Sequence, residues 1–169
     1  MKRLFTLLAL ICFVSVAEAQ ITVLAFESNG SSPNMYFMDS DQLGVLRKAV
    51  TLSDPTNTHT IGRIMGAAYH YPNDELYILA ATGSASAKQN RVIFTADTSS
   101  GDVTEVVDPE DDLWQAMAIL EDGTILLSAG QQTSLARGIY SIDRTTGDAT
   151  IQVSVAGEDV NAIAFNADD

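Results

Sequence analysis

Cysteine is nearly absent from these 169 residues; the one copy is Cys12, in the apolar start of the chain. The remainder therefore has no disulfide, no zinc–thiolate centre and no cysteine nucleophile. Basic residues are also scarce, 9 Lys and Arg against 22 Asp and Glu, which sets a net charge of −13. A surface of that sign repels nucleic acid and anionic lipid, so neither is expected as a partner. It suits a calcium-bearing or cationic partner, and it also keeps an exported chain soluble. Histidine is limited to His59 and His70, neither in a helical metal-ligand motif. There is no G-x-S-x-G elbow and no glycine-rich phosphate loop. Past residue 16 no apolar run approaches the roughly 20 residues that a spanning helix needs, and no segment holds a helical period.

What is present begins with a leader. Lys2 and Arg3 precede an apolar run from Leu4 to Val16, and Ala17-Glu18-Ala19 forms an A-x-A cleavage site before Gln20. This is the three-part layout of a secretory signal peptide. The run is too short for a membrane anchor. Cys12 is a poor lipid-attachment site, because Ile11 and Ala9 stand where a small residue and a leucine belong. The expectation is cleavage after Ala19, a secreted or periplasmic mature chain from Gln20 to Asp169, and no membrane insertion once the leader is gone. One domain of ordinary size accommodates it.

The mature chain repeats itself. IFTADTSSGDVT at 93–104 returns as IYSIDRTTGDAT at 139–150. A shift of 46 residues superposes Arg91 on Arg137, Asp97 on Asp143, Gly101 on Gly147, Val107 on Val153, Ala116 on Ala162 and Ala118 on Ala164, without gaps. A looser third copy lies upstream: MYFMDSDQLG at 35–44 matches IYSIDRTTG, and MGAAYHYPNDELYIL at 65–79 matches QAMAILEDGTILL at 115–127. ITVLAF at 21–26 resembles AIAF at 162–165 and reads as a leading partial copy.

Within one copy, Trp114 to Leu120 reads as a strand, Asp122-Gly123 as a hairpin turn, and Ile125 to Ala129 as a second strand. Ile139 to Ile142 is the third. The turn from Asp143 to Asp148 lets Asp cap its own backbone and Gly147 take a positive φ, and Ala149 to Val155 is the fourth. Four strands repeated about every 46 residues predict an all-β, β-propeller-like chain of consecutive four-stranded antiparallel blades. The approximate repeats are 21–64, 65–113 and 114–159, with a partial copy at 160–169. About three blades fall short of the four to eight that usually close a ring, which implies an incomplete propeller, closure by self-association, or an open stack.

IYSIDRTTGDAT followed by VNAIAF resembles the repeat of secreted bacterial β-propellers that carry a Y-x-I-D-x-x-T-G hairpin and an I-A-F inner strand. The resemblance covers most of the mature chain. It implies the fold and leaves function open, since inert scaffolds, binding modules and enzymes all use it.

The resemblance also implies a ligand face, at the end that joins each fourth strand to the next first strand. Candidates there are Asp54, His59 and Arg63; Asp108, Glu110, Asp111, Asp112 and Trp114; and Glu158, Asp159 and Asn161. Lys88, Gln89, Arg91, Gln131, Gln132 and Arg137 come from the loops between second and third strands. In DPEDDLW, 108–114, four carboxylates offer oxygen ligands to calcium, and Trp114 offers a surface for a sugar ring or a protein anchor. Against that stands a solvated acidic loop with Trp114 packed between blades. Arg91 and Arg137 share a repeat position and read either as a cationic ring or as a repeated ion pair with an acid of the loop before a first strand. His70, between two tyrosines, reads as a packing or surface residue, and His59 has no visible partner.

The expected function is a secreted, non-catalytic propeller module that binds or scaffolds a protein or carbohydrate, without a cofactor. The alternative is a calcium-dependent propeller hydrolase or lactonase of the gluconolactonase-like type, in which Asn161 stands where an asparagine ligand belongs. A third reading is a structural repeat of a larger surface protein.

Overall fold

The computed structural model describes residues 22–26, 32–39, 46–83, 90–109, 113–130 and 135–164. Eleven strands form three antiparallel sheets in chain order. The first sheet holds β1 (Thr22–Phe26), β2 (Asn34–Asp39) and β3 (Leu46–Thr51). The second holds β4 (Ile61–His70), β5 (Glu75–Thr82), β6 (Asn90–Ala96) and β7 (Val103–Val107), with a short 3-10 turn, Tyr71–Asn73, between β4 and β5. The third holds β8 (Trp114–Ile119), β9 (Ile125–Ala129), β10 (Gly138–Ile142) and β11 (Ala149–Ser154). In each sheet consecutive strands are neighbours, because hairpins of a few residues connect them.

The second sheet is covered on both faces, and its sequence shows it. β5 reads ELYILAAT, and Leu76 to Ala81 are all buried. Leu76, Ile78 and Ala80 join a core with Met35, Phe37 and Val50 of the first sheet. Tyr77 and Leu79 join a core with Trp114, Ile125, Leu127 and Tyr140 of the third. Successive side chains point to opposite faces of a strand, so a strand sandwiched between two sheets is apolar throughout.

The 46-residue repeat is reproduced down to single hydrogen bonds. Asp97 N–H donates to Asp102 O and Gly101 N–H to Asp97 O; Asp143 N–H donates to Asp148 O and Gly147 N–H to Asp143 O, all at 2.9 Å. Asp97 Oδ1 accepts from the Ser99 and Ser100 N–H groups, and Asp143 Oδ1 from those of Thr145 and Thr146. Both carboxyls are held below their ordinary value of 3.8 by these backbone donors. A bulge recurs as well, between Ile93 and Phe94 and between Ile139 and Tyr140, with Ile93 opposite Val107 and Ile139 opposite Val153. Gly101 and Gly147 take φ of +85° and +82°, where a side chain is strained.

The same turns join sheet to sheet. A Cβ on Gly101 would collide with the Thr51 carbonyl, and one on Gly147 would lie 2.6 Å from the Asp108 carbonyl oxygen. Each outer turn thus rests on the chain leaving the sheet before it. On the inner side, a Cβ on Gly66 of β4 would stand 2.8 Å from Met117 N of β8. Small residues at this repeat position (Gly66, Ala116, Ala162) let neighbouring inner strands approach closely.

Three details differ from the sequence expectation. β1 is not an inner strand. It pairs with β2, and β2 with β3 forms the outer hairpin, because Leu52 N–H donates to Pro33 O as Val155 N–H donates to Arg137 O. The apolar alternation of ITVLAF suits a second strand as well as a first. The second sheet begins at Ile61 rather than 65, since β4 extends through two register shifts opposite β5. In the last partial copy, residues 160–164 form no strand among the described residues and 165–169 lie outside them.

Candidate functional site

At the end expected to carry ligands, the Asp54 carboxylate organises the loop between the first two sheets. Its Oδ1 accepts from Thr56 N–H at 2.8 Å and Thr56 Oγ1 at 2.7 Å, and its Oδ2 from His59 N–H at 2.8 Å. The Thr56 hydroxyl and then the His59 amide keep its carboxyl below the ordinary value. The loop so formed holds the His59 ring edge-on to Phe94, with centroids 5.5 Å apart. His59 Nε2 lies 2.7 Å from Glu105 Oε2. His59 therefore has a partner, and sequence reading missed it because Glu105 lies 46 residues away on a strand read as an edge. Asp108 adjoins this pair. Its side chain reaches solvent, yet partial desolvation pushes its carboxyl above the ordinary 3.8, with nearby Glu105 adding and His59 opposing.

The other residues expected at this end do not converge on one site. Glu110, Asp111 and Asp112 lie outside the described residues, as do Lys88, Gln89, Gln131 and Gln132. Trp114, read either as a platform for a ligand or as packed between blades, is fully buried, with its ring edge-on to Tyr140 at 5.5 Å. The first position of β8 points into the core between the second and third sheets, which removes Trp114 from any ligand surface. The repeated arginines bind chain rather than open space. Arg91 Nη1 donates to the Trp114 carbonyl, and Arg137 Nη1 to the Gly157 carbonyl at 2.5 Å, with Arg137 Nε 3.6 Å from the Asp159 carboxylate. In both sheets the guanidinium ties the start of the third strand to the chain around the start of the next inner strand. Arg63, Glu158 and Asn161 are exposed. Among the described residues no three metal-ligating side chains come close enough to hold an ion.

The opposite end carries a larger feature. A hollow of about 820 Å³ lies between the ends of β4 and β8 and the passing Ile163 and Ala164. Alanines 67, 68, 118 and 164 form much of its wall, and Tyr69, Tyr71 and Pro72 its rim. Tyr71 is 84% exposed, the most exposed large apolar side chain described. Its ring stands edge-on to Tyr69, centroids 5.1 Å apart. The Tyr69 hydroxyl donates to the Asp74 carboxylate, and that bond raises the phenol above its ordinary value. Beneath the rim, buried His70 places Nε2 3.0 Å from the Glu121 carbonyl oxygen. Beside it, Arg144 Nη2 donates to Tyr77 Oη at 2.7 Å and Tyr77 Oη donates to Glu75 Oε2 at 2.7 Å. The arrangement suits binding: an aromatic pair at the rim of an alanine-rich wall, with the Glu121 carboxylate beside it. Sequence reading passed over it, although one signal was there. The 65–79 copy is longer than 115–127 by two residues, and the excess falls at Tyr71-Pro72-Asn73.

No family model matches this chain, and no curated protein does. Among solved structures, a chain in the crystal structure of a nidogen/laminin complex is similar, with a TM-score of 0.52 and 14% identity. The similarity covers 80% of this chain and 45% of that chain, so this chain spans less than half of the propeller chain it matches. With three consecutive antiparallel sheets already in place, the likeness establishes a β-propeller fold and nothing more specific.

Proposed function

We propose that this chain is an exported, non-catalytic propeller module that binds a protein partner through the tyrosine-rimmed hollow at the end of its inner strands. One observation carries the reading: Tyr71, 84% exposed, lines that hollow with its ring edge-on to Tyr69 rather than packed away. An exposed aromatic beside a concavity is the composition of a binding hot spot. Glu121 at the hollow and Asp74 on the Tyr69 hydroxyl, on a chain of net charge −13, favour a partner segment that combines an apolar anchor with lysine or arginine. The similar solved chain comes from a complex between two proteins, which supports this reading by analogy. No described helix is long and apolar enough to cross a membrane, and the leader accounts for export.

The test is selection of a displayed random-peptide library on the immobilised chain, followed by affinity measurement of the enriched peptides. Peptides with basic and aromatic or proline residues are expected. Tyr71→Ala should weaken them by about thirtyfold, the equivalent of about 2 kcal/mol. Equal binding to Tyr71→Ala overturns the site. Calcium-dependent hydrolysis of a lactone by the same chain would replace the reading with that of a propeller hydrolase.

A further inference from the structure

His70 sits in the joint between the second and third sheets; the chain's other histidine, His59, lies at the opposite end beside Glu105. His70 ends β4 opposite Glu75 of β5 and precedes the 3-10 turn that carries Tyr71. Only 5% of it is exposed, yet it lines the hollow. Its two ring nitrogens have different settings. Nε2 faces the Glu121 carbonyl oxygen at 3.0 Å, which makes it the protonated nitrogen of the neutral ring. Nδ1 is buried and has no hydrogen-bond partner among the described residues. A neutral Nδ1 is an acceptor without a donor. A protonated Nδ1 is a charged donor without an acceptor, which is far more costly.

Titratable groups face the ring from each element packed on it. On its own strand and turn, Tyr69 and Asp74 are bonded to each other, and Tyr71 stands at the rim. From β5 come Glu75 and Tyr77, the tyrosine ring edge-on with centroids 6.4 Å apart. Glu121 and Asp122 come from the turn after β8, and Arg144 from the turn after β10. A Cβ on Gly123 would lie 3.5 Å from Arg144 Nη1 and 3.9 Å from His70 Cε1, so guanidinium and imidazole flank the same turn. The Glu75 and Asp122 carboxylates feel the ring's charge, but they are held first by the Tyr77 hydroxyl and the Thr124 amide. What changes on binding is the hollow. An apolar anchor there removes water from beside the ring, and a lysine or arginine there adds a positive charge. Both disfavour an imidazolium.

We propose that His70 makes the partner's hold pH-dependent: the hollow binds while the ring is neutral and releases when the ring takes up a proton. The proposal rests on the hollow being the binding site. Its sign follows from linkage. A bound partner that opposes proton uptake by the ring is itself opposed, by the same factor, by a proton on the ring. Affinity therefore falls as acid charges the ring, in the window of about pH 5 to 8 where histidine changes charge.

The probes are the library-selected peptides, restricted to those without histidine, so that no imidazole of theirs titrates. Parent affinity should be about tenfold weaker at about pH 5.5 than at about pH 7.5. His70→Gln, whose amide can still donate to the Glu121 carbonyl, should bind equally at both. His59→Gln should keep the drop. Proton NMR of the parent's two imidazoles supplies a reading that needs no substitution: added peptide should move the His70 titration to lower pH and leave that of His59 in place. A drop that persists in His70→Gln, equal parent affinity at both pH values, or a His70 titration indifferent to peptide overturns the proposal. Peptides that need Tyr71 yet bind alike at both pH values leave the hollow as the site and remove only its switch. Peptides indifferent to Tyr71 remove both.

Discussion

The two joints between sheets are built differently. The first is stitched by backbone. Ser53 N–H donates to Gly101 O and Val103 N–H to Ser53 O, forming a parallel bridge between the chain leaving the first sheet and the outer turn of the second. Lys48 adds two bonds of 3.1 Å to the Thr98 and Ser99 carbonyls, and its ammonium lies 5.6 Å from the Phe37 ring centroid. At the second joint the described contacts are made by side chains. Trp114 and Tyr140, edge-on to each other within the third sheet, share a core with Tyr77, Leu79 and Ile93 of the second, and the Arg144 guanidinium lies 5.3 Å from the Tyr77 ring centroid. Among the described residues, the first joint thus carries backbone bonds across it, and the second an aromatic core and a guanidinium–ring contact.

The largest test of that contrast is Trp114→Ala, which should cost about 3–5 kcal/mol, the usual loss for a buried aromatic. Hydrogen exchange should show the loss concentrated in β8 to β10 and smaller in β2 and β3. Equal loss across all sheets would mean that the two joints act as one. Next come Gly101→Ala and Gly147→Ala, each about 1–3 kcal/mol because alanine is strained at positive φ and its Cβ meets a carbonyl. Chemical denaturation should rank Gly101→Ala as the worse, since its displacement also breaks the Ser53 bridge. Arg144→Ala should cost about 1 kcal/mol through a lost hydrogen bond and ring contact. Lys48→Ala should cost only a few tenths, its charge being exposed and its partners neutral carbonyls. A reversal of these last two would assign the first joint to its lysine rather than its backbone.

The legibility of the sequence divides along the same line. The 46-residue register carried strands, turns and the equivalence of Asp97 with Asp143, because turn chemistry is local and alternation repeats. It did not carry the hollow. Tyr71 lies in the turn where the repeat is broken by two extra residues, and a register argument discards what does not align. Nor did it carry the His59–Glu105 contact, since pairing across sheets depends on how the sheets stack, which strand periodicity does not encode. Trp114 was legible as a large aromatic with two possible settings, a ligand platform or a place between blades; the sheet behind it, which decides for the core, was not.

Acid titration offers the finest discrimination. Asp97 and Asp143 have carboxyls depressed by backbone donors, so their contribution is present above the unfolded value near 3.8 and is lost as pH falls through the folded one. Asp108 has the opposite sign. Raised mainly by desolvation, its ionised form weakens the fold above its folded value, and protonation on acidification relieves the cost. Urea midpoints followed from neutral to acid pH should therefore fall less steeply in Asp97→Asn and Asp143→Asn. In Asp108→Asn the midpoint should rise at neutral pH and converge with the parent in acid. Parallel curves for all three would remove the distinction.

The backward-pointing outer turns have a consequence for synthesis. Gly101 rests on Thr51, and Gly147 on Asp108, so each turn docks on chain made about forty or fifty residues earlier. Neither docking waits for a segment still to be translated. Folding can accordingly advance in the direction of translation, one sheet at a time, with each finished sheet serving as the template on which the next is laid. The apolar face of the first sheet, and then that of the second, stays open only until the sheet that follows it has emerged.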